Sequence, residues 1–294
     1  PSYPAAHAAA STSAEEIQPA FSPDGEFLYY AVGLATNQDI YRKRLPNGTP
    51  ELLAGRSVTE RRPQVTPDGR FLIFLRGRDV TEIVRKNLSD GTEEVLAVAT
   101  DVNTFTISPT GQTLLMDVVY QGSTQKIQVL DIASHALDLR EILDPPGCAP
   151  FHPRISPDGK YLAIACRWNQ GSHDLFVIPV NPTLTPIGAA RKITNRSERI
   201  DGLEWTPDSR SLIYIAGTLG NGRLFRASVD SGRETTAVGI DASEIDSLAI
   251  ARKSWRIAYS QDLTVFNIWR HSLKGKQLAT PVVSQSKMND EPML

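Results

Sequence analysis

The sequence predicts an all-β fold, a six-bladed β-propeller with four antiparallel strands in each blade. Three observations predict it. A short phrase of the type Ser/Thr-Pro-Asp-Gly recurs along the 294 residues, β-branched and aromatic runs flank the copies, and no segment shows a convincing helical period. A repeat of about 45 residues built from short strands is typical of propeller blades.

The phrase occurs five times and is followed by a degenerate sixth copy. The first residues of successive copies lie 44, 42, 48, 50 and 45 positions apart. Proline presets φ for the second position of a type I turn, and glycine takes the positive φ that closes a bulged hairpin. The phrase therefore predicts the turn between the first two strands of each blade. The predicted turns are 22–25, 66–69, 108–111, 156–159, 206–209 and 251–254.

The innermost strand of each repeat comes directly before the turn, and its last residue is apolar in every copy. We expect all six of these residues to be buried at equivalent positions. Proline stands three residues before the turn in repeats one, two and four. An innermost strand is an edge that faces the channel, where a missing N–H costs no ladder bond. The six apolar residues are Phe21, Val65, Ile107, Ile155, Trp205 and Ile250.

The chain divides into a flexible N-terminal segment over residues 1–14 and one propeller domain over 15–294. The end of the chain, 289–294, resembles the entrance of another repeat. It is either the start of a truncated repeat or a tail that returns to the first blade and closes the ring. No apolar run approaches 18 residues, so we expect no membrane span. The predicted propeller is expected to be a monomer.

Charge argues against nucleic-acid binding. Lys and Arg number 31 against 33 Asp and Glu, which gives a net charge of −2 and leaves no basic stripe to neutralise phosphates.

Only two cysteines occur, too few for a disulfide scaffold. Pairing Ile155 with Tyr161 across the fourth turn sets residue 150 opposite Cys166, so Cys148 lies near the edge of the same hairpin. Two interpretations stay open. The thiols are separate and half-buried, or they form a local disulfide in an oxidising compartment.

The turns and the strands after them resemble the PD40 (WD40-like) repeats of TolB-like six-bladed propellers. The matching strands are Asp39-Ile40-Tyr41, His173-Asp174-Leu175-Phe176 and Asn267-Ile268-Trp269-Arg270, and the resemblance covers residues from about 15 to 283. Such repeats occur in periplasmic TolB, peptidase propellers, oligogalacturonate lyases and sensor domains of bacterial regulators. The resemblance implies a periplasmic or otherwise extracytoplasmic bacterial protein with a protein or peptide partner, which includes partners of the cell envelope.

Loops on a rigid scaffold carry function, and the entrance loops share one face with the loops between second and third strands. Trp and Arg on a concave surface give large contact area and directional bonds. An ion pair between Arg154 and Glu204 across neighbouring blades is the structural alternative. The candidate binding residues are Arg62, His152, Arg154, Trp168, His173 and Glu204.

No catalytic motif accompanies these residues. The sequence lacks a Gly-x-Ser-x-Gly elbow, a phosphate-binding loop, a Cys-x-x-Cys pair and a His-Glu-x-x-His helix. His152 and His173, with Asp201 or Glu204, are the one candidate set for a divalent ion. We expect no catalytic residue, no metal and no cofactor.

The leading hypothesis is therefore a non-enzymatic propeller that binds a protein or peptide at its loop face and channel mouth. The alternatives are a carbohydrate lyase with its site at the channel mouth, and the sensor or propeller part of a larger regulator or peptidase.

Overall fold

The computed structural model describes residues 15–34, 36–56, 58–120, 124–139, 148–169, 172–195, 198–218, 221–231, 234–236, 244–253, 255–261, 267–270 and 280–284. The predicted N-terminal segment and the chain end at 289–294 lie outside these residues, so both interpretations of that end stay predictions.

Five sheets of four antiparallel strands follow one another along the chain, each with its strands in sequence order. Blade one contains β1 (Glu16–Phe21), β2 (Phe27–Leu34), β3 (Asn37–Arg44) and β4 (Glu51–Ala54). Blade two contains β5 (Glu60–Val65), β6 (Phe71–Arg76), β7 (Val80–Asn87) and β8 (Glu93–Thr100). Blade three contains β9 (Val102–Ile107), β10 (Thr113–Tyr120), β11 (Thr124–Asp131) and β12 (Leu137–Leu139). Blade four contains β13 (Ala149–Ile155), β14 (Tyr161–Asn169), β15 (Ser172–Pro179) and β16 (Arg191–Lys192). Blade five contains β17 (Arg199–Trp205), β18 (Ser211–Thr218), β19 (Asn221–Ser228) and β20 (Glu234–Thr236).

The sixth repeat is only partly assembled in the described residues. Strands β21 (Ile245–Ile250) and β22 (Ile257–Gln261) pair as one hairpin, and β23 (Asn267–Arg270) pairs with β24 (Thr280–Ser284) as another. The first hairpin lies between blade five and blade one, because β21 contacts both β17 and β1. Arg256 donates a hydrogen bond to the Gly25 carbonyl of the first turn. The structure thus shows a propeller with five complete blades, and the predicted sixth four-stranded blade is not shown.

The repeated turns have the predicted chemistry. In the first copy the Gly25 amide donates to the Ser22 carbonyl at 2.9 Å, and the Ser22 hydroxyl donates to the Asp24 carboxylate at 2.5 Å. Gly25 has a φ of 76°, and the glycines of the next three copies have φ of 73° or 74°. Ser209 takes this position in the fifth copy with a φ of 59°. The turn therefore needs the left-handed conformation, and glycine adopts it without the steric cost that a side chain brings.

The prediction that all six pre-turn residues are buried was wrong for three of them. Ile107, Ile155 and Trp205 are 2%, 4% and 4% exposed. Phe21, Val65 and Ile250 are only partly buried because they border the central cavity described below.

Cys148 and Cys166 form a disulfide with a Cα–Cα distance of 5.5 Å. The structure pairs Ile155 with Leu162 rather than with Tyr161, one residue away from the predicted register. A bulge between Phe151 and Arg154 compensates for this shift, so Pro150 does lie opposite Cys166. The disulfide interpretation is the one that the structure shows.

The largest hydrophobic cluster fills the space between blades four and five. Trp205 is stacked on Tyr161 with 6.3 Å between ring centroids, and its indole N–H donates to the Arg154 carbonyl at 2.9 Å. Such contacts fix the relative position of neighbouring innermost strands, which carry the site. No part of the described chain forms a helix with the length and apolarity that crossing a bilayer requires.

Candidate functional site

The innermost strands surround a central cavity with about 960 Å³ of atom-free space, part of it open to solvent. Two layers of repeat-equivalent residues line it. The mouth layer consists of the residues four positions before each turn, and the middle layer consists of residues two positions before the turns. The mouth layer is Gln18, Arg62, Thr104, His152, Gly202 and Ser247. Middle-layer residues that line the cavity are Ala20, Gln64, Arg154, Glu204 and Ala249.

The mouth layer is built on β-bulges. The ladder between the first two strands shifts register next to each of these positions in all five complete blades and in the β21–β22 hairpin. Gln18, Arg62 and His152 have φ of 57°, 57° and 49°, and each precedes a proline. Positive φ is costly for residues other than glycine, and bulges are used to re-aim side chains near sites. The bulges therefore hold three mouth side chains in a conformation that an ordinary strand does not give.

Each of these three residues donates its backbone N–H to a side chain of the preceding blade. The Gln18 amide donates to the Ser247 hydroxyl at 2.9 Å, and the Arg62 amide donates to Gln18 Oε1 at 2.8 Å. The His152 amide donates to Asp117 Oδ2 at 3.3 Å. Because a bulge removes an N–H from the ladder, a polar side chain must replace the lost partner. The mouth layer is thereby connected from blade to blade.

Asp117 binds two backbone amides of the mouth layer and was not predicted from the sequence. It lies on β10, is 1% exposed, and also accepts the Thr104 amide at 2.6 Å. Burial raises the pKa of Asp117 to about 6, although the two amide donors and the arginines Arg62 and Arg154 favour the ionised form. The signal was present, because Asp117 stands within an apolar run where the other complete blades have Ala, Leu or Ile.

Arg154 and Glu204 form the ion pair that the structural alternative anticipated. Arg154 Nε donates to Glu204 Oε1 at 2.7 Å, which connects blades four and five. One terminal nitrogen of Arg154 also donates to the Pro153 carbonyl at 2.8 Å and to the Phe105 carbonyl at 3.4 Å. These contacts occupy most of the fork of Arg154 and give it a structural role in the middle layer.

Arg62 is the opposite case. Within the described part of the chain, its guanidinium has neither a hydrogen bond nor an ion pair, although its backbone amide is bound. Burial lowers the pKa of Arg62 and the like charge of Arg154 lowers it further, while the carboxylates of Asp117 and Asp246 offset only part of this effect. A cation placed in a cavity without a partner is expensive unless a ligand supplies the anion.

His152 contributes a neutral ring with one nitrogen that has no partner. Burial holds the pKa of His152 well below its usual range, and the positive charges of Arg62 and Arg154 act in the same direction. Its Nδ1 is buried and has no hydrogen-bond partner among the described residues. The ring donates a hydrogen bond to the Asp201 backbone carbonyl, which favours the protonated form. Because Nδ1 has no partner, Nε2 is the nitrogen that carries the proton. Nδ1 is therefore a free acceptor.

The other two predicted residues, Trp168 and His173, do not line the cavity. Trp168 is 38% exposed, donates its indole N–H to Asp174 at 2.9 Å and lies edge-on to Phe176. His173 is buried, and its Nδ1 accepts the Ile200 amide at 2.9 Å. Burial lowers the pKa of His173. Of the six predicted binding residues, the structure thus brings four together in the cavity. They are Arg62, His152, Arg154 and Glu204.

The two histidines flank Phe151, whose ring centroid is 5.0 Å from each imidazole centroid. Across the residues with described positions, no three His, Cys, Asp or Glu side chains lie together in a way that could hold a metal ion.

No family model matches the chain, and no curated protein matches it. Solved structures do. TolB from Acinetobacter baumannii is 20% identical with a TM-score of 0.63 over 77% of this chain and 55% of that protein. A protein described as TolB from Agrobacterium tumefaciens is 18% identical with a TM-score of 0.64, covering 76% of this chain and 81% of that one. This is a TolB-like propeller fold.

Other similar structures carry different activities. Oligogalacturonate lyase from Vibrio parahaemolyticus is 14% identical with a TM-score of 0.55, over 83% of this chain and 71% of that one. Identities this low establish the shared fold and leave the function to the site. The chain also spans only about half the length of the Acinetobacter TolB.

Proposed function

We propose that the protein is a non-enzymatic TolB-like propeller that binds a protein or peptide at its channel mouth. The observation that carries this proposal is the mouth layer itself. Hydrogen bonds connect its bulged backbone from blade to blade. Among the described residues, however, the Arg62 guanidinium has no hydrogen bond or ion pair, and His152 Nδ1 has no hydrogen-bond partner. Preorganised polar groups that make no internal hydrogen bond favour ligand binding, because the free-energy cost of removing them from water is already part of folding.

The middle layer argues against a reaction at the same place. Its strongest charges, Arg154 and Glu204, neutralise one another at 2.7 Å. A general acid or base needs a pKa matched to its task and a free proton-transfer path, and a paired arginine supplies neither. The layer instead forms a fixed polar floor beneath the mouth.

We also propose an extracytoplasmic, periplasmic location and a partner from the cell envelope. The Cys148–Cys166 disulfide supports an oxidising compartment, since structural disulfides are rare in the cytosol. The fold shared with TolB supports the same proposal only by analogy. A monomeric state is part of the proposal and is measured by light scattering.

The experiment is a peptide selection on the immobilised protein. A displayed library of random dodecapeptides is enriched on wild type and counter-selected on the double variant Arg62→Gln/His152→Phe. We expect a family of sequences that depends on the mouth layer. Arg70→Gln is the matched control, because Arg70 is exposed at the turn on the opposite face of the same blade. Sequences that bind the double variant as well as wild type would contradict the proposed face.

The lyase alternative is tested on the same preparation. The observation in its favour is that His152 and His173 each have a buried nitrogen without a described partner. A lyase of this kind predicts bound metal after purification and cleavage of polygalacturonate that is lost in His152→Ala. The binding proposal predicts neither.

A further inference from the structure

The charges that line the cavity are not balanced. Arg62, Arg154 and Arg252 line it, against the carboxylates of Asp201 and Glu204, so three cations face two anions. Glu204 is bound by Arg154, and Asp201 accepts Arg199 Nε at 2.6 Å. Both lining carboxylates therefore have hydrogen-bonded partners. Among the described residues the Arg62 guanidinium has no hydrogen bond or ion pair, and only the charges of Asp117 and Asp246 favour its charged form.

The surroundings of Arg62 favour a singly charged anion. Its neighbours in the mouth layer, Gln18 and Thr104, are uncharged, and the carboxylates of Asp117 and Asp246 already act on it with negative charge. A phosphate dianion would be repelled by Asp117, by Asp246 and by Glu204 of the middle layer. A carboxylate brings one charge and two oxygens, which match the planar fork of a guanidinium in a bidentate pair.

His152 favours a ligand with a hydrogen-bond donor next to that carboxylate. Its Nδ1 is buried and has no hydrogen-bond partner among the described residues, so an N–H or O–H of a ligand that reaches it supplies the missing donor. The backbone amide of His152 donates to Asp117, and the imidazole ring contacts Phe151, so the residue is held in place. Arg62 and His152 line the same cavity, and the positive charge of Arg62 lowers the pKa of His152.

A peptide C-terminus carries both features on one residue, a carboxylate and the amide N–H of the same residue. A chain end also enters an axial channel more easily than the middle of a chain does. We infer that the mouth layer binds the C-terminal carboxylate of a peptide, an inference that rests on the proposed function. In this arrangement Arg62 binds the carboxylate and His152 Nδ1 accepts the last amide N–H.

The test uses pools of N-acetylated octapeptides that are synthesised both as C-terminal acids and as C-terminal amides. Each pool is incubated with the whole protein, and retained peptides are quantified by mass spectrometry after gel filtration. We expect at least about tenfold greater retention of the acid pool. Arg62→Gln should remove this preference, and His152→Phe should weaken retention of the acid pool, because it keeps an aromatic ring but removes the acceptor nitrogen.

Arg70→Gln makes the same charge change on the opposite face and should leave retention unchanged. Circular dichroism and thermal melting identify any variant that fails to fold, and Arg62→Lys then serves as the second variant. Lysine keeps the charge but loses the bidentate fork, so it should retain the acid pool less well than wild type does.

The outcomes separate this inference from the proposed function. Equal retention of acid and amide pools would overturn the carboxylate anchor and leave peptide binding standing. Retention that follows internal Asp or Glu, whatever the C-terminus, would overturn the C-terminal assignment. Retention of neither pool, by a protein that also enriches no displayed peptide, would overturn both.

Discussion

Replacing Asp117 by asparagine tests whether the mouth layer is held as the structure shows. The two carboxylate oxygens of Asp117 accept the amides of Thr104 and His152, from β9 and β13. Asparagine offers only one acceptor oxygen, so one of the two buried amides loses its partner. Such a loss costs about 1–3 kcal/mol.

The pH dependence gives a sharper number. Folding raises the pKa of Asp117 from 3.8 to about 6, so between these values the folded state binds the proton more tightly than the unfolded state. The resulting stability is fully present below pH 3.8 and is lost as the pH rises through about 6. Linkage with these two pKa values gives about 2 kcal/mol of extra stability at pH 4.5 relative to pH 7.5.

The assay is urea unfolding followed by tryptophan fluorescence at the two pH values. The free energy of unfolding of wild type minus that of Asp117→Asn should be about 2 kcal/mol larger at pH 4.5 than at pH 7.5. His152 and His173 titrate in both proteins, so their opposite contribution, from lowered pKa values, cancels in the difference. The exposed turn residue Asp90 has a lowered pKa, so Asp90→Asn should change the difference in the opposite direction. A difference that does not vary with pH would refute the buried, hydrogen-bonded carboxylate.

Three further predictions concern stability. Trp205→Ala should cost about 3–5 kcal/mol in urea unfolding, as a large-to-small change in the cluster between blades four and five, whereas Trp205→Phe should lose chiefly the bond to the Arg154 carbonyl, about 1 kcal/mol. Thiol titration of denatured, unreduced protein should find no free thiol, and the Cys148→Ser/Cys166→Ser variant should be less stable by about 3 kcal/mol; two free thiols in wild type would contradict the bridge. Gly77→Ala should destabilise by at least about 1 kcal/mol more than Gly91→Ala, because both have similar positive φ but only the Cβ at Gly77 collides with a carbonyl, that of Val80; equal effects would contradict that contact.

The repeated turns allowed most of the fold to be predicted from the sequence, because local chemistry determines them. Proline and glycine favour particular φ values at fixed positions of the turn, so five turns and their hairpins could be predicted from the sequence alone. The fourth repeat shows the limit of this reasoning. There the predicted register differs from the observed register by one residue at the turn but agrees with it at Cys166. The reason is a β-bulge before Arg154, which adds a residue to one strand. Bulges depend on contacts between blades, which strand periodicity does not report.

The candidate site was predicted only in part for the same reason. Arg62, His152, Arg154 and Glu204 follow from their distance to the turns, since equivalent positions face one channel. Trp168 was expected at the mouth on chemical character, yet its indole N–H binds Asp174 within its own blade. Asp117 was overlooked because its neighbours in sequence are apolar, and only the structure shows the two amides that it binds.

The most direct test of the central claim is the affinity of one peptide from the selection for the Arg62→Gln variant. Fluorescence anisotropy of the labelled peptide gives its Kd for wild type, Arg62→Gln and the control Arg70→Gln. If the channel mouth is the binding site, Arg62→Gln should raise Kd at least about tenfold, while Arg70→Gln should leave it unchanged. An unchanged Kd in a folded Arg62→Gln variant would contradict the claim.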